Sequence, residues 1–239
     1  LLFLPLSRRS MEDKDRSSLV DSVSARKELA LVELFAADIN QIAPRAQHLI
    51  SLLDEERQAR VRAFGESRSA LLTLAAGLLL YDIFGERTKT AHFERGKRGK
   101  PHLPNNAPFN ISHAGDFAVL ALSQQPVGVD LERIRPIDWQ KIALRFFHPD
   151  ERAYLSKSNE PEKDFFRIWT LKESYLKAEG TGFSISPASF AVLPAGTQSA
   201  HFLGENAFRF TRLAAFPGYC LSVCSLEEDV SPQVMMKQF

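Results

Sequence analysis

Trp169-Thr170-Leu171-Lys172-Glu173-Ser174-Tyr175-Leu176-Lys177 reads as the body of a helix, and the fold reading grows outward from it. Phe165, Phe166, Trp169 and Leu176 recur near a 3.6-residue period, and Gly180 and Gly182 follow as a stop. Trp169, Glu173, Leu176 and Lys177 then share one side at spacings of three and four. Glu173 therefore lies beside an apolar stripe, where an idle charge is costly. The plain alternative is a solvated i,i+4 Glu–Lys pair, worth roughly a few tenths of a kcal/mol.

About forty residues upstream, Gln125-Pro126-Val127-Gly128-Val129-Asp130-Leu131-Glu132 reads as a Pro-led, β-branched strand. Residues two apart on a strand share a face, so Asp130 and Glu132 project together while Val129 and Leu131 turn to the core. Two hard oxygen donors side by side suit Mg²⁺, which takes one or two protein carboxylates beside substrate phosphate oxygens. An isolated Asp-x-Glu is also what a solvated sheet edge contains. Two rigid elements thus supply three carboxylates and two lysines, a set suited to a divalent cation and phosphate.

Two further pieces lie upstream: Gly99-Lys100-Pro101 closes a loop, and Phe109-Asn110-Ile111-Ser112-His113 follows it. The ordered set G-K-P, F-N-I-S-H, G-V-D-L-E and W-T-L-K-E-S-Y-L-K resembles the 4′-phosphopantetheinyl transferase superfamily, in particular its surfactin-type members. The likeness extends over about residues 50 to 225, and its specificity lies in the joint pattern.

That resemblance implies transfer of the phosphopantetheine arm of coenzyme A to a serine of an apo carrier protein, with release of adenosine 3′,5′-bisphosphate. It implies Asp130 and Glu173 as ligands of Mg²⁺ or Mn²⁺, with Glu132 a third ligand directly or through a water. Glu173 is also the expected base, Lys177 the group that neutralises the leaving phosphate, and Lys172 an electrostatic assistant. Arg57, Arg60, Lys100, Ser112 and His113 are the expected coenzyme A contacts, with Lys100 and then Arg57 favoured for the 3′-phosphate. The implied fold is α+β, with two similar pseudo-symmetric lobes, each a small antiparallel sheet packed by a long helix. The cofactor would lie between the lobes, and a chain of this length is expected to act as a monomer.

The element order repeats in a way that agrees. Ser69 to Phe84 reads as a long helix, followed by glycines, a short strand with Phe109 and Ile111, and the apolar run Phe117–Leu122. The second half offers a helix over 164–179, glycines, Phe190-Ala191-Val192 and then Gly218 to Val223. The expected divisions are an N-terminal lobe over 26–125 and a C-terminal lobe over 126–239 carrying the metal site. Arg145-Phe146-Phe147-His148-Pro149-Asp150-Glu151 reads as a loop entering a helix at Pro149. Phe146 and Phe147 are either partner contacts or core aromatics.

Composition fits a soluble globular protein: 239 residues, 44% hydrophobic, 25% charged, net charge +1. So balanced a charge gives no argument for nucleic acid. The basic residues do cluster, at Arg57, Arg60 and Arg62 and again at Arg87, Lys89, Arg95, Lys97, Arg98 and Lys100. Such patches suit phosphates and acidic carrier proteins, and equally a solvated basic loop. The two cysteines, Cys220 and Cys224, are expected to be buried and reduced, in keeping with a cytoplasmic location. Leu1–Leu6 is too short for a signal core, and no run approaches a membrane span. Residues 1–25 are polar and Ser-rich and are expected to be disordered. The sequence begins without Met, which makes Met11 a candidate start.

Two other functions remain open at this level. A different Mg²⁺-dependent enzyme such as a phosphodiesterase has no need of the Lys100 and His113 loops. A carrier-binding homologue without activity predicts decay of the metal set or of Lys177, and all four of Asp130, Glu132, Glu173 and Lys177 are present.

Overall fold

The computed structural model describes residues 31–90, 94–95, 101–103, 106–180, 184–227 and 229–239. The expected disordered segment 1–25 and the loop with Gly99 and Lys100 lie outside these residues. The described chain begins with β1 (Leu31–Asp38) and a run of short helical turns between residues 39 and 52. There follow α1 (Glu55–Ala63), α2 (Arg68–Phe84), the small hairpin β2 (Glu94–Arg95) and β3 (Pro101–His102), then β4 (Phe109–Ala114), β5 (Phe117–Leu122) and β6 (Val127–Arg133). The second half contains α3 (Trp139–Phe146), α4 (Pro149–Ser156), α5 (Pro161–Glu179), β7 (Val192–Ala195), β8 (Ser199–Phe202), β9 (Arg209–Leu213), β10 (Tyr219–Ser225) and β11 (Asp229–Met236).

Local signals account for the helix limits. Ser67 caps α2 by accepting the Ala70 N–H, and Asp54 caps α1 by accepting the Arg57 N–H. His148 caps α4, Pro149 fills its first position, and Glu151 returns to the His148 N–H, closing a capping box. Gly180 ends α5 at φ 65°, ψ 16°, a left-handed conformation that glycine adopts without steric cost.

Two sheets of four and five strands carry the fold, in the orders β11-β1-β5-β4 and β6-β10-β9-β8-β7. Strand alternation assigns each face. Phe35, Leu120 and Phe109 pack with Leu74 and Leu78 of α2, whereas Leu34, Ala36, Val119 and Ala121 meet Val129, Leu131, Leu221 and Val223 of the second sheet. The two helix-backed sheets therefore share a common inner core. The α+β architecture is as the sequence reading has it, with two differences. The second sheet is antiparallel, but the first is mixed, because β11 joins β1 in parallel. That strand comes from the end of the chain, so residues on both sides of 125/126 build the first sheet.

Phe147 is buried and stacks on Phe165 at 5.1 Å, and Phe146 meets Trp169 edge-on at 5.9 Å. Both belong to the aromatic cluster under α3 and α5. Cys220 and Cys224 are buried free thiols, and burial pushes Cys220 up to about 11. Among the described residues, no helix is long and apolar enough to cross a membrane.

The second sheet meets α5 at Gly128. A Cβ added there would lie 2.0 Å from the Ser174 carbonyl oxygen and 2.4 Å from the Ala178 nitrogen. Helix backbone cannot give way as a flexible side chain does, so only glycine permits this approach. Gly128→Ala is expected to destabilise the protein by at least ~2 kcal/mol, the upper part of the overpacking range. A thermal or urea midpoint within error of the parent would contradict this packing.

Candidate active site

β6 and α5 bring four of the sequence-predicted residues together. Asp130 lies on the β6 face opposite Val129 and Leu131 and is 4% exposed. Its Oδ1 accepts the Lys177 ammonium at 2.5 Å and the Ser112 hydroxyl at 2.9 Å. Its Oδ2 is buried and has no hydrogen-bond partner. Glu132 and Glu173 are half-buried nearby, and neither side chain makes an ion pair or hydrogen bond among the described residues. Lys177 also reaches the Val129 carbonyl and the Ser112 hydroxyl, each at 3.2 Å.

The electrostatics record this crowding of like charge. Burial pushes all three carboxyls above their ordinary range, and the Asp130 charge adds to the rise of Glu132 and Glu173. Glu132 reaches about 7, with Glu173 contributing as well. Lys177 works against each of these shifts. His113 sits at an exposed position on β4, where partial burial of its ring, aided by Lys177, pushes its imidazole down.

A divalent cation suits this donor set. All the donors are hard carboxylate oxygens, and the buried Oδ2 of Asp130 is an acceptor without a partner, which a cation would satisfy. As the side chains stand, no three His, Cys, Asp or Glu groups among the described residues converge on one point. Lys177 holds the position next to Asp130 Oδ1.

The remaining expected site residues fall elsewhere or play other parts. Lys172 does not join the cluster. It is 1% exposed, and its ammonium lies 2.7 Å from both oxygens of Glu151 and from the Phe190 carbonyl, over the Phe190 ring at 4.2 Å. Neighbouring helix positions are about 100° apart, so Lys172 and Glu173 cannot point the same way. Arg57 pairs with Asp54 at 2.6 Å on a half-buried part of α1, and Arg60 makes an exposed i,i+4 pair with Glu56 at 2.8 Å. Ser112 is turned from His113 to Asp130, as strand alternation requires. Lys100 lies outside the described residues.

Sequence reasoning missed Glu151 and Asn110. Glu151 is 0% exposed and also accepts the N–H groups of Val192 at 2.8 Å and His148 at 2.9 Å, so it ties α4, α5 and β7 together. The His-Pro-x-Glu capping pattern was the only signal for it. Asn110 accepts the Val129 N–H at 2.9 Å, and its place two residues before Ser112 was a usable hint.

Known proteins resemble this chain over most of its length. Residues 126–224 match the family model of the 4′-phosphopantetheinyl transferase superfamily, and residues 41–125 match that of the 4′-phosphopantetheinyl transferase N-terminal region. The chain is 32% identical to 4′-phosphopantetheinyl transferase ffp of Bacillus subtilis over 79% of its own length and 88% of the relative. It is 36% identical to the transferase gsp of Aneurinibacillus migulanus, covering 74% and 77%. Against Sfp of Bacillus subtilis strain 168 the identity is 29%, covering 81% and 91%. The solved holo-[acyl-carrier-protein] synthase of Thermotoga maritima aligns at TM-score 0.37 and 18% identity over 43% of this chain and 62% of that one, too slight a likeness to argue from. The chain belongs to the 4′-phosphopantetheinyl transferase superfamily and is a transferase of the surfactin type.

Two predictions follow from the geometry. Between about 4.5 and about 7, folded Glu132 keeps a proton that the unfolded chain has released. Without divalent cation, stability should therefore decline as pH rises through that window, and Glu173 contributes in the same direction. Urea midpoints in chelator should fall across the window for the parent and fall less for Glu132→Gln; parallel curves would reject the shift. Separately, Lys172→Met leaves Glu151 as an uncompensated buried charge and should cost ~3–5 kcal/mol in urea unfolding. An unchanged midpoint would show that the pair does not hold the helix.

Proposed function

We propose that this chain moves the 4′-phosphopantetheine arm of coenzyme A to a serine of an apo carrier protein, and that it does so with Mg²⁺, or Mn²⁺, bound at Asp130, Glu132 and Glu173. The observation that carries the reading is the buried Asp130 carboxylate, with one oxygen held by Lys177 and Ser112 and the other without a partner. Family membership and the names of the relatives support the transfer itself. Adenosine 3′,5′-bisphosphate is then the leaving product.

The reaction is a phosphoryl transfer, where positioning and charge neutralisation supply most of the rate. A bound divalent cation would supply Lewis-acid neutralisation of pyrophosphate charge. The protein's own groups do the rest. Glu173, its basicity raised by burial and by Asp130, is suited to accept the serine proton. Lys177, one helical turn further on, is placed to offer positive charge to the departing phosphate. His113, with its imidazole held toward the neutral form, is proposed to donate a hydrogen bond to a coenzyme A phosphate. Arg57, Arg60 and Lys100 remain the proposed phosphate contacts, and Arg57 is held at Asp54 through one terminal nitrogen. We propose a cytoplasmic monomer.

The direct test is mass spectrometry of apo carrier protein after incubation with coenzyme A and Mg²⁺. A gain of one phosphopantetheine mass is expected, with loss of the product in EDTA. Glu173→Gln should lower kcat by at least ~10²-fold while the thermal midpoint stays near that of the parent. Near-normal turnover in that variant would remove Glu173 from the mechanism.

A further inference from the structure

We propose that Ser112 is a positioning residue for Asp130: its hydroxyl fixes which carboxylate oxygen Asp130 offers to a divalent cation, and that hydroxyl is not spent on a coenzyme A phosphate. The inference rests on the reading of Asp130 as a metal ligand. It departs from that reading's expectation that Ser112 joins His113 at the cofactor.

β4 and β6 are edge strands of different sheets, and no backbone ladder joins them. Side chains of β4 take its place. Asn110 Oδ1 accepts the N–H of Val129 at 2.9 Å, and Ser112 Oγ accepts that of Leu131 at 3.2 Å. Those two residues flank Asp130, so the two-residue spacing of β4 grips the backbone on both sides of the carboxylate. Both gripping residues are buried.

The hydroxyl of Ser112 has one proton and two lone pairs. Its proton goes to Asp130 Oδ1 at 2.9 Å, and its lone pairs accept Leu131 N–H at 3.2 Å and the Lys177 ammonium at 3.2 Å. Its hydrogen-bonding capacity is complete within the protein, and donation to a phosphate requires breaking the Asp130 contact. Asp130 Oδ1 is meanwhile held by Ser112 and Lys177 together, which stops the carboxylate from turning about its last torsion. The unpartnered Oδ2 is thereby the oxygen left for a cation. Outer-shell hydrogen bonds of this kind fix ligand orientation, and their loss typically costs ~10–100-fold in metal affinity.

The test follows Mn²⁺ binding by electron paramagnetic resonance, with and without coenzyme A, in the parent, Ser112→Ala and Ser112→Thr. Coenzyme A binding is measured in parallel by calorimetry in EDTA. Ser112→Ala should weaken Mn²⁺ binding by ~10-fold or more while coenzyme A affinity stays within about twofold. Ser112→Thr retains the hydroxyl and should restore most of the Mn²⁺ affinity. If circular dichroism shows that Ser112→Ala does not fold, Ser112→Cys, a weaker donor, replaces it under the same criteria. Parent-like Mn²⁺ binding in Ser112→Ala overturns the inference and leaves the metal reading standing. Loss of coenzyme A affinity with Mn²⁺ affinity intact returns Ser112 to the phosphates. Equal losses of both, or no rescue by threonine, mark a purely structural residue and also overturn it. A parent enzyme that binds no Mn²⁺ under either condition brings down the metal reading and this inference with it.

Discussion

The site depends on the contact of α5 with β6 at Gly128, where helix backbone lies directly on strand backbone with no side chain between. Most helices ride on a sheet at the distance set by intervening side chains. Here that spacing is removed at one point, and the next residues along each element close on one another. Asp130 and Glu132 on the strand come under Glu173 and Lys177 on the helix, and the Lys177 ammonium reaches both the Asp130 carboxylate and the Val129 carbonyl. A helix displaced outward by one methyl group would pull these groups apart.

Closeness alone leaves the helix free to rotate, and buried polar pairs remove that freedom. Glu151 and Lys172 form a pair in which every carboxylate contact has a partner, and the Lys172 ammonium also meets the Phe190 carbonyl. Thr170 adds a buried hydroxyl contact to Ser222 of β10 at 2.7 Å. Such pairs add little net stability over apolar packing, because desolvation cancels much of the attraction. Their geometric demand is strict, however, and that demand sets the phase of α5. Three carboxylates are then gathered where burial raises the proton affinity of all three, and the Asp130 charge adds to the rise of Glu132 and Glu173. One ammonium offsets only part of that repulsion, the condition in which a divalent cation binds with advantage.

Much of this was legible in the residues. The 3.6-residue recurrence of Phe165, Trp169 and Leu176 with the glycine stop is borne out as α5, and the alternation at Val129-Asp130-Leu131-Glu132 as a strand with its carboxylates on one face. Position 172 was misplaced because a run of charged residues in a helix does not say which of them has a buried partner. That partner, Glu151, lies twenty-one positions away on another helix. Ser112 and His113 part for a simpler reason: adjacent strand residues face opposite ways, and Ser112 is the one turned to Asp130.

The sequence by itself determined the local periods, the caps, the turn glycines and the residue types available for cation and phosphate chemistry, because these follow from backbone sterics and short-range hydrogen bonding. It also carried the family pattern. Only the tertiary structure decided which charges meet. The parallel return of β11 to β1, the Glu151–Lys172 pair and the grip of Asn110 and Ser112 on β6 all join residues distant along the chain. Such contacts depend on how sheets and helices stack to bury their apolar faces, and no local pattern in the chain specifies that stacking.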